Sequence, residues 1–281
     1  MSSGHKNGCV SVSLVTLHAL VHIARDAGDA ILASADRRPT IKTDGSPVTS
    51  ADCTAQASIY AALSSLDAST PILAEEAPMP DDAVRRTWRR YWLVDPLDGT
   101  KEYVAGLVEY TVNIALIDDG VPVLGVVHAP ALGMTYYAAH GLGSWRRTNG
   151  DPEVRLSARP PTASALRVVE SRSHPSPELE RFLAELHVAE RIKVGSSLKF
   201  CWLADGRADC YARFGPTMAW DVAAGDCVFR YASPSDRPHA SPLSYHPANL
   251  GVGPFVIGFA PPDAVARALA RLRRTDKQVT A

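Results

Sequence analysis

One segment, from Trp92 to Thr100, constrains the fold more than any other part of the sequence. It reads WLVDPLDGT, an apolar run that leads into two carboxylates and ends on a glycine and a hydroxyl. The apolar run predicts a buried strand, and Pro96 and Gly99 predict that the chain turns where this strand ends. Asp95 and Asp98 are then oxygen ligands at a strand end, suited to a hard divalent cation such as Mg²⁺. The alternative is an ordinary turn, in which these residue types serve the backbone alone.

Further carboxylates stand at the ends of other predicted elements. Glu75 follows the apolar run PILA at 71–74, and Asp221 stands at the start of a helical segment rich in small residues, WDVAAG at 220–225. Asp221 by itself is typical of a helix cap. Together with Asp95 and Asp98, however, these acids would repel one another in a single pocket unless a cation were bound there. Their convergence on a metal is therefore a hypothesis for the structure to test.

Asp52 is a fifth acid, placed where a helical pattern begins with apolar residues at 55, 59, 62, 63 and 66. Its spacing from Thr49 is that of a capping box, which favours the interpretation that it stabilises the positive end of a helix dipole. The second interpretation makes Asp52 a partner of Thr100 in orienting a water molecule for attack.

Eight short motifs connect these acids with the rest of the chain. Three are LAEE at 73–76, VDPLDGT at 94–100 and WDVAAG at 220–225. The others are DGTKEY at 98–103, EYTVNIALID at 109–118, SRSH at 171–174, GSSLKFC at 195–201 and RFGPT at 213–217. In this order and spacing the chain resembles the metal-dependent, lithium-sensitive phosphomonoesterases of the inositol monophosphatase family, from about residue 14 to about residue 231. Lys101 and Glu102 make it similar to the bacterial 3′(2′),5′-bisphosphate nucleotidases of that family, since inositol phosphatases usually carry Thr and Asn there.

The resemblance implies a role for each matching position. The implied metal ligands, for two Mg²⁺ ions with room for a third, are Glu75, Asp95, the Leu97 carbonyl, Asp98 and Asp221. Asp52 and Thr100 are implied to be the catalytic pair that holds the attacking water. The implied substrate contacts are Gly99, Thr100, His174, Ser196, Lys199, Arg213 and Asp221. The Lys and Arg among them suit a substrate that carries a second phosphate group.

The implied function is a Mg²⁺-dependent phosphomonoesterase that removes the 3′-phosphate of adenosine 3′,5′-bisphosphate by in-line attack of water and yields AMP. The sulfated form of this nucleotide would yield adenosine 5′-phosphosulfate. The alternatives are hydrolysis of inositol or sugar phosphates and, in a different class, a non-catalytic nucleotide or metal sensor. A formal net charge of -1 gives no basic field for a nucleic acid polymer, so the expected partner is a small nucleotide bisphosphate. The oligomeric state is left open.

The cysteines and the hydropathy pattern indicate the compartment. The five cysteines form no CxxC motif, which predicts reduced thiols in a cytoplasmic protein. Charged residues interrupt the apolar stretch from Val10 to Ala33, so we interpret it as an amphipathic helix and expect no transmembrane segment. A peripheral association with the inner membrane stays compatible with this pattern.

The order of the predicted elements is that of an α/β (α+β) protein, and the layered α-β-α-β-α sandwich of the family accommodates it. Helices precede strands near Ile72 and Trp92, and a hairpin follows at 111–127. Turn-rich segments at 149–152 and 160–161 then precede strands near 168, 192 and 211 that alternate with helices. We predict a subdomain 1–155 with most of the metal ligands and a subdomain 156–281 with Asp221 and the substrate contacts.

The segment 233–245 departs from the family pattern, because several prolines stand where the family has glycine-rich turns. Proline cannot donate to a strand ladder, so this segment predicts a loop in place of a sheet-edge strand.

Overall fold

A run of strands in the middle of the chain lies between two stretches in which helices and strands are mixed. The computed structural model describes residues 13–173, 176–233 and 241–279, with the side chains of the last helix described up to residue 272. Within these residues the helices are α1 (Leu14–Ala33), α2 (Ser50–Leu66), α3 (Asp82–Arg85), α4 (Thr100–Val104), α5 (Pro177–Leu183), α6 (Leu198–Ala204), α7 (Ala219–Arg230) and α8 (Pro262–Val279). The strands are β1 (Thr40–Ile41), β2 (Pro47–Val48), β3 (Ile72–Ala74), β4 (Arg90–Asp98), β5 (Thr111–Asp118), β6 (Val121–Ala129), β7 (Met134–Ala139), β8 (Gly143–Thr148), β9 (Val154–Arg155), β10 (Leu166–Ser171), β11 (Val188–Val194), β12 (Cys210–Arg213), β13 (Thr217–Met218), β14 (Gly251–Val252) and β15 (Phe255–Gly258).

The larger sheet is formed by β3 to β9 in sequence order. The pair β3–β4 is parallel and the later pairs are antiparallel, as expected for strands joined by short turns. Helices α1 and α2 pack on one face of this sheet, and α7 packs on the other. In α1 the buried residues recur every three or four positions, from Leu17 to Ile31, which is the stripe that docks a helix on a sheet.

The second sheet has the order β11-β10-β12-β15. Its first three strands run parallel, and β15 pairs antiparallel with β12. Helices α6 and α7 fill the space between the two sheets, while α5 and α8 cover the outer face with a separate apolar cluster. The layers therefore alternate α-β-α-β-α, which confirms the predicted fold class.

The outcome for the remaining predictions of fold is mixed. Along the chain, the larger sheet ends with β9 at Arg155, and the second sheet begins with β10 at Leu166. The division into subdomains 1–155 and 156–281 stays a prediction. The two-residue strands of the pairs β1–β2 and β13–β14 are too short for a periodic pattern, so the sequence did not predict them. None of the helices in the described part of the chain combines the length and the hydropathy needed to cross a bilayer.

The divergent segment is described only in part, since residues 234–240 lie outside the described residues. Residues 241–245 contain no strand, in line with the loop that was predicted. The side chain of Tyr245 donates a hydrogen bond to Asp226 at 3.1 Å, and Arg230 donates one to the Leu243 carbonyl at 3.1 Å. Both partners lie on α7, so the end of this segment braces the helix that begins with Asp221.

Candidate active site

The four acids predicted to bind metal converge on one cavity of about 220 Å³ between the two sheets. Glu75 follows β3, and Asp95 and Asp98 lie near the C-terminal end of β4. Asp221 lies in the first turn of α7. One carboxylate oxygen from each of Glu75, Asp95 and Asp221 lies within 4.8 Å of the others. The same cavity is lined by most of the remaining predicted site residues, namely Leu97, Gly99, Thr100, Ser196, Lys199 and Arg213.

A break in strand pairing places the two aspartates of β4. The pairing of β4 with β5 is irregular between Asp95 and Asp98, so the strand bends at this point and directs both carboxylates toward the cavity. Asp95 holds the bend with its own side chain, because its Oδ1 accepts a hydrogen bond from the Leu97 N–H at 3.0 Å. Gly99 ends the bend at φ 90°, a left-handed conformation that favours glycine.

Burial and mutual repulsion raise the pKa of three of these carboxyl groups. Burial, reinforced by the charges of Glu75 and Asp98, raises the pKa of Asp95 well above its usual range. Burial also raises the pKa of Glu75 to about 7, and burial with the nearby charge of Asp221 raises the pKa of Asp98 to about 7. A bound divalent cation would reverse this cost, and the donor set consists of the oxygen ligands that hard cations prefer. The residues therefore fit a metal centre.

The two carboxylate oxygens of Asp52 have different partners, one at the start of α2 and one at the cavity wall. Oδ2 accepts hydrogen bonds from the backbone N–H of Thr49 at 2.8 Å and from its hydroxyl at 2.6 Å, which is the predicted capping interaction. Oδ1 accepts a hydrogen bond from the Thr100 hydroxyl at 3.1 Å. The helix cap thus fixes the carboxylate that orients Thr100 at the cavity wall.

Asn113 and Ser197 connect two of the predicted metal ligands, and sequence reasoning missed both. The Asn113 amide donates to Asp98 Oδ2 at 3.3 Å and to the Ser197 hydroxyl oxygen at 3.0 Å. The Ser197 hydroxyl in turn donates to the backbone carbonyl of Asp221. This chain of hydrogen bonds crosses from β5 to α7 and ties Asp98 to the turn that carries Asp221. A signal was available, since Asn113 is the one amide within the apolar strand TVNIALI at 111–117.

Lys42 is a third residue that sequence reasoning missed. It follows β1, and its ammonium group donates to Glu75 Oε1 and to Glu76 Oε1, each at 2.8 Å. Burial disfavours this charge, but the hydrogen bonds to the two carboxylates outweigh it and raise the pKa of Lys42 above its usual value. Lys42 therefore supplies positive charge to Glu75 from the hairpin that borders the cavity.

Cationic groups occupy the side of the cavity formed by the second sheet. Lys199 is only 5% exposed, and burial, with the repulsion of Arg213, lowers its pKa to about 8 against the attraction of Asp98. The Arg213 guanidinium lies at the end of β12 and donates to the Pro216 carbonyl at 2.7 Å. Among the described residues no group hydrogen-bonds the buried Ser196 hydroxyl, which lines the cavity beside Lys199. His174 lies outside the described residues, so its contact stays a prediction.

Comparisons with known proteins agree with this geometry. The model of the inositol monophosphatase family matches residues 14–232. The 3′(2′),5′-bisphosphate nucleotidase CysQ of Escherichia coli (strain K12) is 45% identical over 246 residues, which cover 85% of this chain and 97% of that protein. The CysQ of Salmonella typhimurium is 48% identical over 219 residues, which cover 75% of this chain and 86% of that protein.

Solved structures share the arrangement of layers. The crystal structure of CysQ from Bacteroides thetaiotaomicron superposes with a TM-score of 0.73 at 35% identity and covers 88% of this chain and 98% of its own. The Thermotoga maritima IMPase has a TM-score of 0.72 at 22% identity, covering 93% and 99% of the two chains, which shows a common fold.

Proposed function

Because the chain belongs to the inositol monophosphatase family, we propose that it is a Mg²⁺-dependent 3′(2′),5′-bisphosphate nucleotidase. Its substrate is adenosine 3′,5′-bisphosphate, from which it removes the 3′-phosphate to give AMP. The sulfated nucleotide is a second substrate and gives adenosine 5′-phosphosulfate. Relatives of 45% and 48% identity that carry the nucleotidase name support this substrate class over inositol or sugar phosphates.

One observation carries the proposal: a single cavity is lined both by the cluster of carboxylates and by the cationic side chains of Lys199 and Arg213. The acids, which include Asp95 and Asp221, suit cations that hold the phosphate to be cleaved. Lys199 and Arg213 suit a second anionic group, because an ammonium is a point charge for phosphate and a guanidinium can reach two oxygens. A substrate with two phosphates can contact both the metal-binding carboxylate cluster and the cationic side chains. An inositol monophosphate has a phosphate for only one of the two.

The metal centre would be held by Glu75, Asp95, the Leu97 carbonyl, Asp98 and Asp221. Two Mg²⁺ ions, with room for a third, would supply polarisation of the phosphate and activation of a water molecule. The three carboxylate oxygens of Glu75, Asp95 and Asp221, which lie within 4.8 Å of one another, support this assignment. The identity of the metal and the number of ions are part of the proposal.

Asp52 and Thr100 orient the attacking water. The Thr100 hydroxyl hydrogen faces two acceptors at 3.1 Å, Asp52 Oδ1 and the Leu97 carbonyl, so the hydroxyl oxygen is left to accept a hydrogen bond from water on the cavity side. The water is thereby held with a lone pair toward phosphorus, and its proton can pass to the Thr100–Asp52 pair as the bond forms. Gly99 and Thr100 contact the phosphate to be cleaved, and Ser196, Lys199, Arg213, Asp221 and His174 contact the nucleotide.

The test is release of phosphate from adenosine 3′,5′-bisphosphate and from inositol 1-phosphate by the same metal-loaded preparation. We expect kcat/KM for the bisphosphate to be larger by at least about 100-fold. The reason is that a substrate without the second phosphate leaves the buried ammonium of Lys199 unpaired. A larger kcat/KM for inositol 1-phosphate would contradict the proposal. A protein inactive on both, with its metal bound, would instead support the sensor hypothesis.

We also propose that the protein acts in the cytoplasm. Cys53, Cys201, Cys210 and Cys227 are all free thiols, which supports a reducing compartment. Cys9 lies outside the described residues.

A further inference from the structure

The loop between β11 and α6 sets the position of a buried cation. Ser196 lies at φ 51°, a left-handed conformation that a residue with a side chain rarely adopts. Its backbone carbonyl accepts a hydrogen bond from Nζ of Lys199. The conformation of Ser196 therefore determines where the Lys199 ammonium lies in the cavity.

Glu109, which precedes β5 in the other sheet, holds this loop from outside the cavity. Its Oε2 accepts a hydrogen bond from the Gly195 N–H at 3.0 Å. A Cβ at Gly195 would lie 2.6 Å from the backbone carbonyl oxygen of Glu109, so only glycine permits this approach. The contact and the hydrogen bond together fix the backbone immediately before Ser196.

Arg172 orients the Glu109 carboxylate. Its Nε donates to Oε2 at 2.8 Å and its Nη2 to Oε1 at 2.7 Å, a bidentate pair of defined geometry. Nη2 also donates to the Lys193 carbonyl at 3.0 Å, which anchors the guanidinium to the end of β11. Burial opposes ionisation of Glu109, but the hydrogen bonds from Arg172 and Gly195 outweigh it and lower the pKa of this carboxyl group.

We propose that Glu109 and Arg172 are positioning residues for recognition of the second phosphate, acting through Gly195 and Ser196 on Lys199. The inference rests on the proposed function, because a substrate with one phosphate makes little use of Lys199. Neither residue lines the cavity, and within the described residues no hydrogen bond joins either of them to a proposed metal ligand. The backbone carbonyl of Glu109 packs against Gly99, a contact that Glu109→Gln leaves in place. Loss of the pair should therefore reduce selectivity for the bisphosphate and leave the chemistry of phosphate cleavage in place.

The test compares adenosine 3′,5′-bisphosphate with adenosine 3′-monophosphate, which has the same base and the same phosphate to be cleaved. Glu109→Gln should raise KM for the bisphosphate about tenfold or more, the effect of one lost charge-assisted hydrogen bond, with kcat/KM for the monophosphate within about twofold of wild type. Arg172→Lys should act in the same direction, because it keeps the charge and loses the planar fork. The double variant should lose no more than the stronger single variant.

The matched control is Glu180→Gln. Glu180 accepts from Arg191 in a bidentate pair of 2.6 and 2.9 Å that lies far from the cavity, between α5 and β11. Glu180→Gln should leave the selectivity ratio unchanged.

Three outcomes would overturn the inference. Equal losses on both substrates, for Glu109→Gln or, if that variant does not fold, for Arg172→Lys, would assign the pair a purely structural role. Wild-type kinetics of both variants on both substrates, in an enzyme that prefers the bisphosphate, would overturn the inference and leave the proposed function in place. A wild-type enzyme with no preference for the bisphosphate would overturn the proposed function, and the inference with it.

Discussion

The apparent affinity for Mg²⁺ is expected to rise at least about 100-fold between pH 6 and pH 8, because protons compete with the metal for the buried carboxylates. Asp95, whose pKa is also raised, adds to the effect of the two groups considered next. Glu75 and Asp98 both have a pKa of about 7 in the metal-free protein. One pH unit below that value about a tenth of each carboxyl group is ionised, and one unit above it about nine tenths. Each group therefore contributes about tenfold, and two contribute about 100-fold, or about 2.7 kcal/mol of binding free energy.

The same pKa values give the pH dependence of the metal-free protein. The folded-state pKa of Glu75 lies above its value of 4.5 in the unfolded chain, so the protonated carboxyl group favours the folded state. This contribution to the stability of the metal-free protein is fully present below pH 4.5 and is lost as the pH rises through about 7. The loss amounts to about 3 kcal/mol in the free energy of unfolding. Saturating Mg²⁺ should restore it, and should restore more at pH 8 than at pH 6.

The assay is a Mg²⁺ titration of EDTA-treated protein, followed by the shift of Tm at pH 6, 7 and 8. Glu75→Gln removes one competing proton, so its Mg²⁺ affinity should rise about tenfold less over this range than that of the wild type. Glu76→Gln is the matched control, since Glu76 shares the contact with Lys42 but does not line the cavity. A wild-type affinity that does not vary with pH, or a control that flattens the profile as much as Glu75→Gln, would refute the reasoning.

Four further outcomes are expected. Asp95→Asn should abolish phosphate release while the circular dichroism stays native, and near-normal turnover would show that the acidic cluster is misassigned. Thr100→Ala should lower kcat about 100-fold or more with Mg²⁺ affinity nearly unchanged, and Thr100→Ser should recover most of the loss; the opposite pattern would make Thr100 structural. Asn113→Ala should lower the free energy of unfolding in urea by about 1–3 kcal/mol, because it leaves buried polar groups unpaired; an unchanged midpoint would contradict the network. Lithium at millimolar concentration should inhibit by occupying a metal position, an expectation from the family, and full activity in its presence would count against it.

Local rules were enough to place the acids at the ends of helices and strands, and the family resemblance supplied the order of the layers. Strand ends and helix starts are encoded by neighbouring residues, so the bend after Val94 and the first turns of α2 and α7 could be placed from the sequence. Carboxylates at such ends are few and stand out from their apolar surroundings. The motifs then identified which of them belong together, and the cavity contains those that the structure describes.

The contacts that cross between sheets could not be predicted, because they depend on tertiary packing. Asn113 and Ser197 are separated by 84 positions, and Glu109 and Arg172 by 63. Nothing in the local sequence of Lys42 distinguishes it from an ordinary surface lysine, yet the β1–β2 hairpin directs it to Glu75. A single sequence carries no record of such partnerships.

The proposed ligands and the catalytic acid also have a structural task. Asp52 accepts from Thr49 at the start of α2, Asp221 accepts from the Met218 N–H at 3.0 Å at the start of α7, and Asp95 accepts from the Leu97 N–H. Losing a helix cap costs about 1 kcal/mol, so a change of Asp52 or Asp221 that removed the chemistry would also destabilise the start of α2 or α7. The same side chains thus serve both activity and stability. A relative of this enzyme that had lost its activity would be expected to retain these aspartates.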